Sequence, residues 1–287
     1  MLMHQLLRDG ATRTPDKIAL RWVDRGTALG FAAAASAMER YAGALHELGA
    51  RKGDRVTIFA HNGMDYALGL FACWRIGAIA ALVNVRFADE LDYYFADHTP
   101  TIVIYTHDMG AKVRAAASRA ASIKHLVCMD GPQEGAKPLP ELLAADLPAP
   151  PDPADENAVA HLSYTSGTTG KPKGACLAHE PTMRACNCIA ERLRIMPDDV
   201  SFGPTALSSS YQLVGNLLPL LHRGATVNIM GSGRNRRGST PWIQPRPRSS
   251  SPIRHCWRRC CSNPASAAGP PQGCASDFQA AGRCRRA

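Results

Sequence analysis

Between residues 49 and 128, short apolar runs recur with room for one helix between each pair, and that spacing restricts the fold more than any other property of the chain. Gly53-Asp54 turns into the β run Arg55-Val56-Thr57-Ile58-Phe59-Ala60; Ile79 to Val85 is a second run, Thr101-Ile102-Val103-Ile104-Tyr105 a third, and His125 to Cys128 a fourth. Helical periodicity over Asp65 to Ile76 turns Leu70, Phe71 and Trp74 inward, and further helices are expected over Asp89 to Asp97 and at 108–120. Ahead of this series, Met38, Tyr41, Ala42, Leu45 and Leu48 share one helical face, and Gly49 stands where that helix stops. Strands separated by helices of this length become neighbours only through crossovers, so the pattern predicts an α/β fold on a largely parallel sheet.

Seven prolines between Asp130 and Glu156 mark a loop or inter-lobe connection. From Ala158 the pattern resumes with a strand to Tyr164, a small polar loop, and a strand from Gly174 to Ala178. Pro181 is placed to begin a helix through Ile195. No internal repeat of fixed period is present. The stretch from Tyr66 to Val85 is long enough to suggest a membrane span, but Arg75 lies in its middle and Gly77 breaks it; a buried helix followed by a buried strand is the expectation. Met1 to Asp9 lacks the basic start and apolar run of an export signal, so the expected compartment is the cytoplasm, with reduced cysteines.

The net charge of +9 suggests a nucleic-acid partner until it is located. Residues 231–287 hold 11 Arg, no Lys and a single acid, Asp277, whereas residues 1–230 hold 22 basic and 23 acidic side chains, a net of −1. The same 57 residues contain no Leu, Val, Met or Tyr, and from that composition disorder is expected. The change is abrupt after the strand-like run Ala225 to Met230. A reading-frame change in a GC-rich gene would produce it, and translating the other two frames tests that origin. The domain expectation is therefore a folded region at 1–230, with its Pro-rich connection at 130–156, and an Arg-rich tail at 231–287.

The chemistry concentrates in Tyr164-Thr165-Ser166-Gly167-Thr168-Thr169-Gly170-Lys171-Pro172-Lys173-Gly174. Gly167, Gly170 and Gly174 permit backbone shapes in which amide N–H groups converge on an anion. Thr165, Ser166, Thr168 and Thr169 add hydroxyl donors, and Lys171 and Lys173 add positive charge around the bend fixed by Pro172. Such a loop suits a triphosphate, although Ser, Thr and Gly are also linker residues. A Walker-type loop fails on spacing, since it requires glycine at Thr165 and Ser or Thr at Pro172.

This segment resembles the signature of the adenylate-forming acyl-CoA synthetases, the AMP-dependent synthetase and ligase family. Pro15 to Leu20, Leu48 to Val56, Gly77 to Ala80, Glu90 to Tyr93 and Leu220 to Thr226 are similar to that family's amino-terminal pattern, and the likeness runs from about residue 10 to 230. The resemblance implies layered mixed-sheet lobes with flanking helices, the amino-terminal part of an adenylate-forming enzyme fold. It also implies a two-step reaction. A small-molecule carboxylic acid attacks ATP to give an acyl-adenylate and pyrophosphate, and CoA then displaces AMP to give a thioester. Thr165, Ser166, Gly167, Thr168, Thr169, Gly170, Lys171 and Lys173 would hold the ATP phosphates, with Mg²⁺ bridging them. The family's later Thr-Glu pair, ribose-binding Asp and carboxy-terminal lysine have no counterpart, so a truncated ligase is the expectation. Leu207 stands where the family often has His near the acyl and adenylate pocket, and residues 25–36 match the pattern poorly.

Two other function classes compete: a catalytically silent nucleotide- or acyl-binding protein, and an Arg-rich nucleic-acid binder using Arg236-Arg237, Arg258-Arg259, Trp242 and Trp257. His255, Cys256, Cys260, Cys261, Cys274 and Cys284 lack the paired spacing of a zinc site. Cys186 and Cys188, about 200° apart on a helix, are expected to serve packing. His179, shortly after the loop, either approaches the nucleotide or caps a strand.

Overall fold

The chain begins with α1 (Gln5–Arg13), β1 (Ile18–Trp22), β2 (Thr27–Gly30) and α2 (Phe31–Glu47). The crossover series follows: β3 (Arg55–Phe59), α3 (Met64–Arg75), β4 (Ile79–Leu82), α4 (Leu91–His98), β5 (Ile102–Tyr105), α5 (Gly110–Ala117) and β6 (His125–Cys128). Next come β7 (Lys137–Pro138), α6 (Leu139–Ala144), β8 (Val159–Thr165), β9 (Lys173–Ala178) and α7 (His179–Arg192). The run ends with α8 (Ser210–Gln212), a π-helical turn Leu213–Leu217, α9 (Leu218–His222) and β10 (Val227–Ile229). This computed structural model describes residues 1–153, 155–165, 171–201, 203 and 205–231. Met1–Ile243 form one compact unit; the second, Gln244–Ala287, lies outside the described residues, as does nearly all of the Arg-rich tail with its cysteines.

Seven strands form one sheet in the order β7-β6-β5-β3-β4-β8-β9, parallel throughout except for the antiparallel β8–β9 pair. The chain leaves β3 to one side for β4 and then crosses back to the other side for β5. Right-handed crossovers in opposite directions put their helices on opposite faces. Accordingly Phe59, Val103, Tyr105 and Cys128 pack against Leu91, Tyr94 and Phe95 of α4 and Val113 and Ala116 of α5. The alternate residues Ile104 and Val127 face Tyr41 and Leu45 of α2 and Gly69 of α3. Three layers result, and a smaller sheet, β10-β1-β2, accompanies them.

The stretch that reads as a split apolar segment is indeed a buried helix and a buried strand. Every residue of α3 except Asp65 is buried, because α2 packs along it in addition to the sheet. Arg75, its last residue, is tolerated there because its Nε lies 3.0 Å from Glu39 of α2. No helix among the described residues is long and apolar enough to cross a membrane. Gly49 ends the α2 region at φ +89, as the sequence suggests.

Several boundaries differ from expectation. The strand at Ile79 stops at Leu82, and a 3-10 turn over Val85–Glu90 precedes α4. The helix expected at 108–120 is shorter, entered by a separate 3-10 turn at His107–Met109. In α7 Pro181 falls at the third residue, since the helix already starts at His179. The Pro-rich connection contains β7 and α6. Its Leu147 carbonyl packs so close to Gly43 of α2 that a Cβ there would sit 2.0 Å from the oxygen.

Candidate functional site

In a parallel sheet the strand carboxyl ends and the helix-entry loops share one edge, and ligands of open α/β sheets bind there. Two of the segments singled out in the sequence meet that edge. The first is the glycine-rich loop: β8 runs into it at Thr165 and β9 leaves it at Lys173, and these two residues are cross-strand partners. The feet of the loop are thus fixed side by side, with the Thr165 hydroxyl 3.5 Å from the Lys173 carbonyl oxygen. Lys171 lies just before the returning strand, its ammonium 5.0 Å from the centre of the Tyr93 ring. Ser166, Gly167, Thr168, Thr169 and Gly170 lie outside the described residues.

The second is the segment around Thr205-Ala206-Leu207. It is laced across the carboxyl ends of three adjacent strands by side chains from each. After β3, the Asn62 amide donates to the carbonyl oxygens of Thr205 and Met230, both at 2.8 Å, while its oxygen accepts the Leu207 N–H at 2.7 Å. After β4, Asn84 Nδ2 donates to Ser208 Oγ at 3.2 Å. On β8, Ser163 and Ser210 hydroxyls are 2.8 Å apart. Asn62, Asn84 and Ser163 were not apparent from the sequence, because each acts on a segment more than 40 residues away. The Leu207 side chain is buried and apolar, so the residue takes part only through its backbone.

Behind the first foot a hydrogen-bonded chain crosses the sheet. Thr57, His98, Tyr164 and Asp97 are linked by contacts of 2.7, 2.9 and 2.7 Å. A carboxylate only accepts, so Tyr164 donates its hydroxyl proton to Asp97 and accepts from Nδ1–H of His98. The Nε2 of His98 then accepts from Thr57. Burial holds the imidazole neutral, with its pKa lowered to about 4. The Tyr164 phenol is pushed up, first by burial and then by the Asp97 hydrogen bond. Beside this chain the Tyr93 hydroxyl donates to the Pro172 carbonyl at 2.5 Å, at the second foot. Tyr93, Tyr94, Asp97 and His98 occupy one face of α4, and the spacing Tyr-Tyr-x-x-Asp-His was the available signal for them.

His179 belongs elsewhere. Antiparallel pairing carries β9 away from the loop, so five residues beyond Lys173 the chain is about 17 Å along the strand, at the opposite end of the hairpin. There His179 is buried and its Nδ1 accepts the Met3 N–H at 3.2 Å. It neither approaches the loop nor serves only as a cap. Cys186 is buried and serves packing as expected, whereas Cys188, on the opposite face of α7, is exposed and does not.

On the same carboxyl edge, where the chain order reverses between β3 and β5, lies a cleft of about 230 Å³ lined by Trp22, Arg25, His61, Asn62, Asp108 and Asp130 among others. No cluster of three or more His, Cys, Asp or Glu side chains among the described residues is arranged to hold a metal ion.

Residues 7–244 match the family described as AMP-binding enzyme. A feruloyl-CoA synthase from an Amycolatopsis species is 33% identical over 219 residues, covering 76% of this chain and 41% of that protein. A long-chain-fatty-acid–CoA ligase of Mycobacterium tuberculosis is 29% identical over 234 residues, covering 79% and 42%. The apo structure of MbtA from Mycobacterium smegmatis superposes with a TM-score of 0.75 at 26% identity, covering 80% of this chain and 44% of that one. The chain thus spans about two fifths of the length of the curated relatives it matches. It belongs to the AMP-binding enzyme family.

Proposed function

We propose that the chain supplies the ATP-phosphate grip and the acid-facing edge of an AMP-forming acid–thiol ligase. In the first step a carboxylate oxygen bonds to the α-phosphorus of ATP while the bond to the bridging oxygen breaks, and pyrophosphate leaves with that electron pair. In the second the thiol sulfur of CoA bonds to the acyl carbon and AMP departs. The observation that carries this reading is the pairing of Thr165 with Lys173 at the carboxyl edge, beside the segment Thr205 to Ser210. Two feet locked in register hold the two ends of the loop side by side, as a grip on one group of phosphate oxygens requires. Lys171 and Lys173 add charge on the return side, and the contribution is positional and electrostatic.

Mg²⁺ fits this arrangement only as a companion of the nucleotide. The described residues offer no carboxylate cage, whereas a triphosphate brings its own oxygen ligands; when bound, the ion would neutralise charge on the leaving pyrophosphate. The acid is a small-molecule carboxylate. The names of the relatives divide between an aromatic and a long-chain acid, and side-by-side turnover of ferulate and palmitate assigns the class.

The full 287-residue chain is expected to bind MgATP saturably. Lys171→Ala and Thr168→Ala should each weaken binding by about tenfold or more, the worth of one charge-assisted contact. Calorimetric titration checks this, and unchanged affinity in both variants would remove the loop from the site. A second reading, nucleotide binding without turnover, is favoured by the apolar Leu207 where the resembled family often has His. Acid-dependent pyrophosphate release from ATP separates the two: its presence supports the ligase, and binding without release supports the silent protein.

A further inference from the structure

The two feet of the loop are held by different means. Thr165 continues directly from β8, where ladder hydrogen bonds and the Thr57-His98-Tyr164-Asp97 chain fix the strand. Lys171 and Pro172 precede β9 and lie outside the ladder, which begins at Lys173. Among the described residues, Tyr93 holds both of them. Its hydroxyl donates to the Pro172 carbonyl at 2.5 Å, and the Lys171 ammonium lies over its ring, 5.0 Å from the centroid. Tyr93 is itself fixed from behind by an edge-on contact with Tyr94, at 5.5 Å between ring centres, and Tyr94 packs edge-on against Tyr164 at 4.7 Å. One helix face therefore reaches both feet.

We propose that Tyr93 is a positioning residue for the return side of the phosphate loop, setting the place of Lys171 through the Pro172 carbonyl and the ring face. This deepens the ATP-phosphate reading and rests on it. The magnitudes favour such a role over a purely structural one. Lys171 is exposed and Tyr93 half-buried, and a cation over an aromatic ring at a solvated site adds only a fraction of a kilocalorie to folding. The same contact confines a side chain with four rotatable bonds to one direction, which lowers the ordering cost of a later phosphate contact.

The test is a double-mutant cycle on the full chain, read as the MgATP dissociation constant, with thermal melting as the check on folding. Tyr93→Leu, which removes both contacts, should weaken binding by about tenfold; Tyr93→Phe, which keeps the ring, should weaken it less. In a Lys171→Ala background, Tyr93→Leu should add little, because the group it positions is gone. Losses that multiply, or a Tyr93→Leu protein that binds as tightly as the wild type, would overturn the proposal. If Lys171→Ala leaves the constant unchanged while Thr168→Ala raises it, the role of Tyr93 is overturned and the phosphate-loop reading stands; if both variants bind like the wild type, it is the phosphate-loop reading that fails.

Discussion

At the loop end of the β8–β9 hairpin a hydrogen-bonded series stands behind the strands: Thr57, His98, Tyr164 and Asp97 are linked without a break to an exposed carboxylate, although the hydroxyl of the neighbouring Tyr94 has no partner among the described residues. At the other end the same two strands carry His161 and lead into His179, packed with His4 around Trp74. His161 is fully buried, and neither of its ring nitrogens has a hydrogen-bond partner among the described residues. Burial lowers the pKa of both His161 and His179 to about 4, and lowers that of His4 despite its 2.8 Å contact with Asp152. The contrast separates two tasks along one hairpin. A completed polar series ending near solvent fixes where a loop stands. A cluster of neutral, poorly satisfied imidazoles against an indole is packing, tolerated because the shape of the core requires aromatic volume there.

The largest effect should come from the packed end. Trp74 is 1% exposed, and its indole donates to the Ala160 carbonyl at 3.0 Å. Trp74→Ala should remove about 3–5 kcal/mol of stability, measured by urea unfolding. Under conditions where the variant stays folded, its MgATP affinity should match the wild type. A parallel loss of affinity would mean that the two ends are not separable.

Acid should act on the same end. The imidazoles are neutral in the folded chain, and an unfolded chain takes up their protons below about pH 6.5. Their contribution is therefore complete above that value and is lost as pH falls from about 6.5 towards the folded value of about 4. Each contributes a slope of up to about 1.4 kcal/mol per pH unit in that window. Arg75 and Arg8 near His4 oppose protonation further, while Asp152 favours it. His98, at the loop end, titrates in the same sense. His161→Leu should flatten the dependence of the urea midpoint between pH 7 and 5; an unchanged slope would show that His161 is not held neutral by the fold.

The sequence foresaw some of this contrast, and physical reasons govern which part. β3, β5 and β6 are legible because a strand buried on both faces must read as a nearly continuous apolar run. β1 is not, since Ile18 to Trp22 mixes in Ala19 and Arg21 and is completed by β10, some 200 residues later in the chain. The loop stood out in its composition, because glycines, hydroxyls and lysines fall close together there. The α4 face was hidden, because Tyr93 and Asp97 acquire meaning only when a crossover brings β8 and β9 against them. The nucleotide alternative for His179 fails because nearness in sequence ignores the reversal of direction in an antiparallel pair. Asn62 reads as an ordinary loop residue until Thr205 and Leu207 are seen on its amide.

The smallest effect should be the most informative about the loop end. Gly174 lies opposite Tyr164 in the ladder, and a Cβ there would stand 3.3 Å from the Tyr164 ring and 3.4 Å from the Asp97 carboxylate. That is tight rather than impossible. The Tyr164 ring is held by two hydrogen bonds and cannot yield freely, so Gly174→Ala should shift the Tyr164–Asp97 pair by a few tenths of an ångström. Overpacking at such a site is destabilising, but alanine also restricts the unfolded chain, which returns about 0.4–1 kcal/mol. The net change in stability should therefore stay within about 1 kcal/mol. MgATP affinity should nevertheless fall by about twofold, since the displaced residue is the last before the first foot of the loop. Stability and affinity would then move independently, as they should if Tyr164 serves position more than folding. A Gly174→Ala chain that is measurably less stable yet binds MgATP like the wild type would sever Tyr164 from the loop and leave the two ends of the hairpin alike in purpose.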